Sequence, residues 1–421
     1  MIKAAKFRWG IALLLFLATG LSFFDRQVLS TLAPVMTRDL HIDNITYSHI
    51  VSAFILSYTI MFTAGGRILD WLGLRVGMAL SVGVWTLASL LHGVTRSALQ
   101  LGVFRFLLGV GEGGCFPGAT KGALEWFQPK ERATAVGFAN GGSAFGAVVA
   151  PPLTVWISLR FGWRGAFLAT GAMGALWLLA WTVFFRLRGR GEAPTTPDPS
   201  LTTEGNHGAE EGVIPWRTLL GRSEVWGLMG ARFLLDPVFY FYMFWIPQYL
   251  SQTRHISLEV IGNLTWIPFL TLGISNIAGG WVSDRLVRSG WSINAARKTL
   301  LGLAAALTPF SMLCVWVSGP RLAIALMSVL MLAHGFWIAN YMTAIGDLFP
   351  TRAVGSVAGI SGSAGGVGGI LSSFVVGAVA QSGSYTPLFV ACGLLYPLAF
   401  AVILLTVRNI RALDAELRAA A

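Results

Sequence analysis

Among the charged residues inside stretches that are otherwise apolar are Asp25, Arg26, Arg105, Glu112, Arg232 and Asp236. A charge at the centre of a membrane helix costs about 2.5–3.5 kcal/mol even on the lenient insertion scale, so each must face a partner or a watery cavity. Carboxylates and guanidinium groups placed this way can bind an anion and hold a proton. Arg105 and Glu112 are two helical turns apart, on one stripe about 10 Å long, too far for direct pairing. Asp25 and Arg26 are neighbours whose side chains diverge by about 100°, so they do not pair with each other. Counting about 1.5 Å per residue brings Asp25 and Arg105 to compatible depths and predicts a contact between them. Glu112 then falls near the middle as a lone carboxylate. Arg26 is left free for a carboxylate ligand, which its two-pronged donor set fits. Arg232 and Asp236, at i,i+4 spacing, predict a self-satisfied pair. The other reading of the first four charges is that they clamp helices together.

The elements that must position these residues are membrane helices. Of 421 residues, 55% are hydrophobic and 12% charged, against about 25% charged in soluble domains. Too few polar residues remain to cover a soluble fold of this length, which excludes most water-soluble enzyme classes. No H-E-x-x-H occurs, and no Lys follows a Gly, which excludes the Walker A phosphate loop. Cys115, Cys314 and Cys392 are scattered in apolar runs, giving no disulfide and no zinc site. The net charge of +11 is distributed between apolar runs rather than on a basic face, so nucleic acid is not a partner. Membrane lipid is.

About 20 apolar residues cross a bilayer as a helix, and twelve such runs emerge. In the first half they are Trp9–Ala33, Tyr47–Leu69, Val76–Gly93, Leu99–Leu124, Ala133–Leu159 and Gly165–Phe185. In the second they are Val225–Leu250, Ile261–Val282, Leu300–Val317, Leu322–Leu348, Val354–Gln381 and Pro387–Val407. Most Lys and Arg fall in the N-terminus, the even-numbered loops and the C-terminus, which places both termini in the cytoplasm. This is an all-α membrane protein with N-terminal (1–187) and C-terminal (222–421) six-helix bundles. Residues 188–221, rich in Pro, Thr, Gly and Glu, form a cytoplasmic linker with a disordered middle.

The halves repeat each other. "GGRILDWLGLR" corresponds to "GGWVSDRLVRSG", "EWFQPKERATAVG" to "DLFPTRAVGSVAG", and Trp163, Phe167 and Gly171 to Tyr385, Phe389 and Gly393. Three matches in one order indicate two parallel six-helix repeats, a design in which the ligand sits near the midplane where the repeats meet. The alignment sets His334 opposite Glu112, either sharing proton work or packed as a core histidine. Trp337 and Asn340 share its span, Tyr58 lies in the second, and Tyr240, Tyr242 and Gln248 give the seventh a polar aromatic face. Such residues suit a polyhydroxylated ligand, although each alone is commonly a packing or belt residue. "GFANGGSAFGAVVAPP" and "GISGSAGGVGGILSS", in the equivalent fifth and eleventh spans, predict close helix approach along which the halves rock, with Ser143 and Ser361 reaching the cavity.

At this point the residues resemble a known family. Gly66, Asp70, Gly73 and Arg75 look like the loop signature of the major facilitator superfamily, with a weaker copy at Gly280, Asp284 and Arg285. "FFDRQVLSTLAP", "YSHIVSAFILSYTI", "RFLLGVGEGGCFPGATKGALEWF" and "FYFYMFWIPQYL" resemble the anion:cation symporter family, within it the hexuronate and aldonate or aldarate transporters. The resemblance spans nearly the whole chain apart from the linker. It implies import of a small anionic sugar acid, such as galacturonate or glucuronate, across a bacterial inner membrane by alternating access. It singles out Tyr58, Tyr242 and Trp337. Asp25, Glu112 and Arg105 are then the proton-coupling set, Arg26 holds the substrate carboxylate, and Asp70 with Arg75 and Asp284 with Arg285 latch the cytoplasmic face. The proton is the coupling ion, no other cofactor or metal is needed, and the protein is a monomer. A sodium-coupled symporter and a proton-driven anion exporter stay open.

Overall fold

The computed structural model describes residues 2–128, 131–187 and 214–413, and the regular structure among them is helical. In a hydrocarbon environment only intra-segment hydrogen bonds can satisfy the backbone, so helices are what such apolar runs must form. Most of the expected linker, residues 188–213, and its expected disorder lie outside the described residues. Among the described residues, nine helical stretches are long and apolar enough to cross a membrane. Thr134–Arg186 holds two spans, because the chain turns inside it at Gly162. The fourth span is broken into Ala98–Glu112 and Cys115–Trp126, each too short to count alone. The seventh, Ser223–Phe244, carries Glu224, Arg232 and Asp236. Together these give the twelve spans.

The repeat is written into the backbone. Among the described residues, positive φ occurs at His41, Gly73 and Gly162 in the first half and at His255, Gly290 and Gly383 in the second. They fall at the turns between spans one and two, two and three, and five and six, and at the corresponding three turns of the second half. Glycine is the residue that enters this region without steric cost. The histidines do so just before a helix N-cap. Asp43 accepts from the Thr46 amide and Ser257 from the Val260 amide, the same cap in both copies. Asp43 is held below the usual carboxylate range by its bonds to Thr46.

Two compact units result. The first holds the described residues up to 187 with 246–251 and 257–266; the second holds 214–245, 252–256 and 267–413. In the first, the fifth span packs on the first through glycine. A Cβ at Gly142 would lie 1.8 Å from the Phe16 carbonyl oxygen, and one at Gly146 2.0 Å from that of Gly20. In the second, a Cβ at Gly365 would lie 1.9 Å from Asp236 Oδ2 and one at Gly368 2.4 Å from the Phe233 carbonyl oxygen. The expected close approach is there, and these four glycines serve packing inside their own unit. The fourth span docks the same way onto the second and third. At Gly109 a Cβ would meet Ser57 Oγ at 2.1 Å, and at Gly111 the Trp85 backbone nitrogen at 2.6 Å. Those glycines lie in the turn just before Glu112 and fix its depth and aim.

Candidate functional site

Glu112 is fully buried and does not stand alone. Its Oε2 accepts from Arg26 Nε at 2.6 Å and from Ser22 Oγ at 2.9 Å. Arg26 Nη2 donates to the same Ser22 at 3.3 Å, one turn back on its helix. The guanidinium lies 4.3 Å over the Tyr58 ring, with Phe23 and Phe54 at 4.8 and 5.3 Å, a cation–π cage that replaces part of the lost hydration. The expectations of a lone Glu112 and a free Arg26 are therefore corrected. A guanidinium and a carboxylate in one low-dielectric core pair whenever their helices' rotation allows, because an uncompensated buried charge costs more. Glu112 Oε1, however, is buried without a donor.

The expected Asp25–Arg105 ion pair does not form in this structure. Asp25 Oδ1 instead accepts from Ser89 Oγ of the third span at 2.8 Å, with Thr170 of the sixth also bordering the carboxylate. Depth was compatible, but Asp25 turns toward the third span. Arg105 is fully buried, with no acceptor for Nε, Nη1 or Nη2. Its guanidinium carbon lies 5.5 Å from the centre of the Phe54 ring. Arg105, not Arg26, is the guanidinium without a hydrogen-bond partner.

In the second unit, Arg232 Nη2 and Nε bond Asp236 Oδ2 at 2.8 and 3.1 Å, the pair that i,i+4 spacing predicts. His334 Nδ1 bonds the Tyr396 hydroxyl, and its ring stacks on Phe239 at 4.9 Å. This is the packed-histidine arrangement of the two left open. Trp337 Nε1, Asn340 Oδ1 and both amide atoms of Gln248 are buried without partners. Asn340 Nδ2 donates to the carbonyls of Phe336 and Gly279 at 2.9 and 3.3 Å. The Tyr242 hydroxyl lies near Ser311. Ser143 and Ser361 donate within their own helices, to the Asn140 and Ala358 carbonyls.

The loop aspartates of the expected latch, Asp70 and Asp284, each pair with a cation of their own unit. Asp70 Oδ1 accepts from Lys121 Nζ at 2.5 Å, and Lys121 also reaches Glu125 at 3.8 Å. Arg75 lies over the Phe185 ring. Asp284 Oδ1 accepts from Arg297 Nη1 at 3.3 Å, while Arg297 Nε bonds Asp347 at 3.0 Å. Arg285 lies over Trp281. Gly66 and Gly280 have open space where a Cβ would sit, and Gly73 has φ +72°. Each half thus joins the loop aspartate and the acid of "EWF" or "DLF" through one cation, supplied by the fourth span in the first half and the ninth in the second. Lys121–Glu125 and Ser22–Arg26 were open to an i,i+4 reading, and the repeat alignment already paired Glu125 with Asp347. Ser89 and Arg297 carried no signal in a single sequence.

The sequence pattern of the Major Facilitator Superfamily matches residues 15–373 and again 249–419. The hexuronate transporter of Escherichia coli is 28% identical over 419 residues, 98% of this chain and 97% of that protein. The galacturonate transporter of Dickeya chrysanthemi is 32% identical over 314 residues, 73% of this chain and 90% of that one. A solved bacterial homologue of the human lysosomal transporter Spinster, inward-facing and occupied, matches with a TM-score of 0.74 over 96% of this chain and 97% of that one, at 19% identity. That likeness shows the shared fold.

Proposed function

The chain belongs to the Major Facilitator Superfamily, and from that premise we propose that it imports a sugar acid, such as a hexuronate, together with protons by alternating access. It is a multi-pass membrane transporter and not an enzyme. The substrate class is supported by the relatives that carry hexuronate and galacturonate. Proton coupling is supported above all by one observation, the buried Arg26–Glu112 pair whose carboxylate keeps Oε1 without a donor.

The exchange follows from charge balance. A proton taken on Oε1 neutralises Glu112 and weakens its hold on Arg26. The substrate carboxylate then takes over the guanidinium, which offers parallel N–H donors for it. The loaded site carries one cation and one anion and can reorient without an uncompensated charge in hydrocarbon. Substrate without the proton would set two carboxylates on one guanidinium. Tyr58, already against Arg26, covers a C–H face of the sugar, and Gln248 of the same unit offers unsatisfied polar atoms for its hydroxyls. In this reading residues 1–187 and 222–421 are the moving bundles joined by 188–221, the termini are cytoplasmic, the membrane is a bacterial inner membrane, and the monomer suffices. The proton is the only coupling ion.

Uptake of labelled galacturonate or glucuronate into proteoliposomes tests this. Accumulation driven by an inward proton gradient, with no requirement for sodium, is the expected result. Accumulation that follows a sodium gradient and ignores pH overturns the coupling.

A further inference from the structure

Arginine holds a carboxylate most firmly as a fork, with two parallel N–H groups each donating to one oxygen. Arg26 does not hold Glu112 that way. Its Nε donates to Oε2 at 2.6 Å, but its Nη2 donates to the Ser22 hydroxyl oxygen at 3.3 Å. Ser22 in turn donates its one proton to the same Oε2 at 2.9 Å. Both prongs therefore end on a single carboxylate oxygen, one directly and one through the serine. Oε1, the oxygen that the second prong of a fork would take, is buried without a donor.

Burial alone does not favour this arrangement. Glu112 and Ser22 are 0% exposed and Arg26 4%, and a buried acceptor left unbonded forfeits its hydration for nothing. What imposes it is the helix. Ser22 and Arg26 stand at i,i+4 spacing on the first span, which sets the hydroxyl beside Nη2. The rings of Tyr58, Phe23 and Phe54 enclose the guanidinium at 4.3, 4.8 and 5.3 Å. Besides Arg26, the charged or titratable groups whose fields reach Glu112 are Asp25 of the first span, Tyr58 of the second, and Arg105 and Cys115 of the fourth. None of these bonds Oε1. The third span meets this stretch with Ser81 and Trp85, which carry no charge.

We propose that Ser22 is a positioning residue for proton coupling: by taking the second prong of Arg26, it keeps the Arg26–Glu112 pair one-pronged and Oε1 open to the proton. The proposal rests on the proton-coupled reading above, in which Glu112 gains and loses the proton. An O–H bond forms at Oε1, the carboxyl becomes neutral, and Nε and Nη2 of Arg26 are released together as a fork for the substrate carboxylate. Without the serine hydroxyl, Nη2 closes onto Oε1 and the fork is spent on Glu112.

Infrared spectra of full-length protein in nanodiscs read the pairing directly, with Glu112 ionised at alkaline pH and its bands assigned by difference against Glu112→Gln. A carboxylate bonded through one oxygen has a wider splitting between its antisymmetric and symmetric stretches than one bonded evenly through both. Ser22→Ala is expected to narrow the splitting, and an unchanged splitting in the folded variant overturns the proposal. In proteoliposomes, the closed fork opposes the proton, so the acid midpoint of gradient-driven uptake moves about one pH unit lower in Ser22→Ala, the effect of one added hydrogen bond to a charged group. A midpoint that stays, or that moves higher as the loss of a plain hydroxyl donor would make it, contradicts the proposal. Ser22→Thr, which keeps the hydroxyl, is expected to keep the wild-type midpoint, and a shift equal to that of Ser22→Ala counts against the hydroxyl. If wild-type uptake ignores the pH gradient, the proton-coupled reading fails, while the infrared splitting still decides whether Ser22 keeps the pair one-pronged.

Discussion

Arg26 bonds Glu112 through Nε and Ser22 through Nη2 while lying over Tyr58. Lysine at this position keeps the charge but cannot meet a carboxylate with two parallel donors. Arg26→Lys is therefore expected to weaken sugar-acid binding about tenfold or more by calorimetry, and wild-type affinity in that variant removes Arg26 from the site. At this scale the sequence was readable where both partners share a helix. Arg232–Asp236 follows from spacing alone, and Ser22–Arg26 obeys the same rule. What spacing and depth do not carry is the rotation of one helix against another. Asp25 and Arg105 come to the same level, yet Asp25 turns to Ser89, 64 residues away in sequence. Arg26 and Glu112, treated as separate groups on two helices, are in fact 2.6 Å apart.

At the scale of elements, glycine decides which helices approach closely enough to bring these groups together. Gly142 and Gly146 let the fifth span touch the first, and Gly109 and Gly111 let the fourth sink between the second and third. Because the obstacle at Gly142 is a backbone carbonyl rather than a flexible side chain, Gly142→Ala is expected to destabilise the protein by about 1–3 kcal/mol, the usual range for overpacking. Gly359→Ala, with open space at the Cβ, is the control and is expected to hold or raise Tm, since alanine is the better helix former. Equal melting of the two variants in detergent contradicts this account of the packing. The glycine-rich runs were legible as close-packing surfaces, whereas their partner was not: a small-residue stripe fits any helix, and here it fits one of its own unit. The turns were more informative than their loop signature suggests. His41 and His255 enter positive φ at matched places, each followed by an N-cap, and the shared "HID" and "HIS" were visible in the sequence as a further match between the halves.

For the whole molecule, the twelve spans and the twofold repeat follow from hydropathy and internal similarity, because lipid leaves a long apolar chain few alternatives to helices. The proposed coupling depends on something finer, the protonation of one buried carboxylate. Glutamine at position 112 resembles protonated glutamate permanently, so the loaded carrier still reorients but no longer draws on the pH gradient. The decisive measurement compares two modes of the Glu112→Gln protein in the same proteoliposomes: exchange of labelled for unlabelled sugar acid, and accumulation driven by a proton gradient. Exchange is expected to persist at a rate comparable with wild type while accumulation falls to the level of empty liposomes. Accumulation that survives with the wild-type pH dependence would contradict Glu112 as the coupling site.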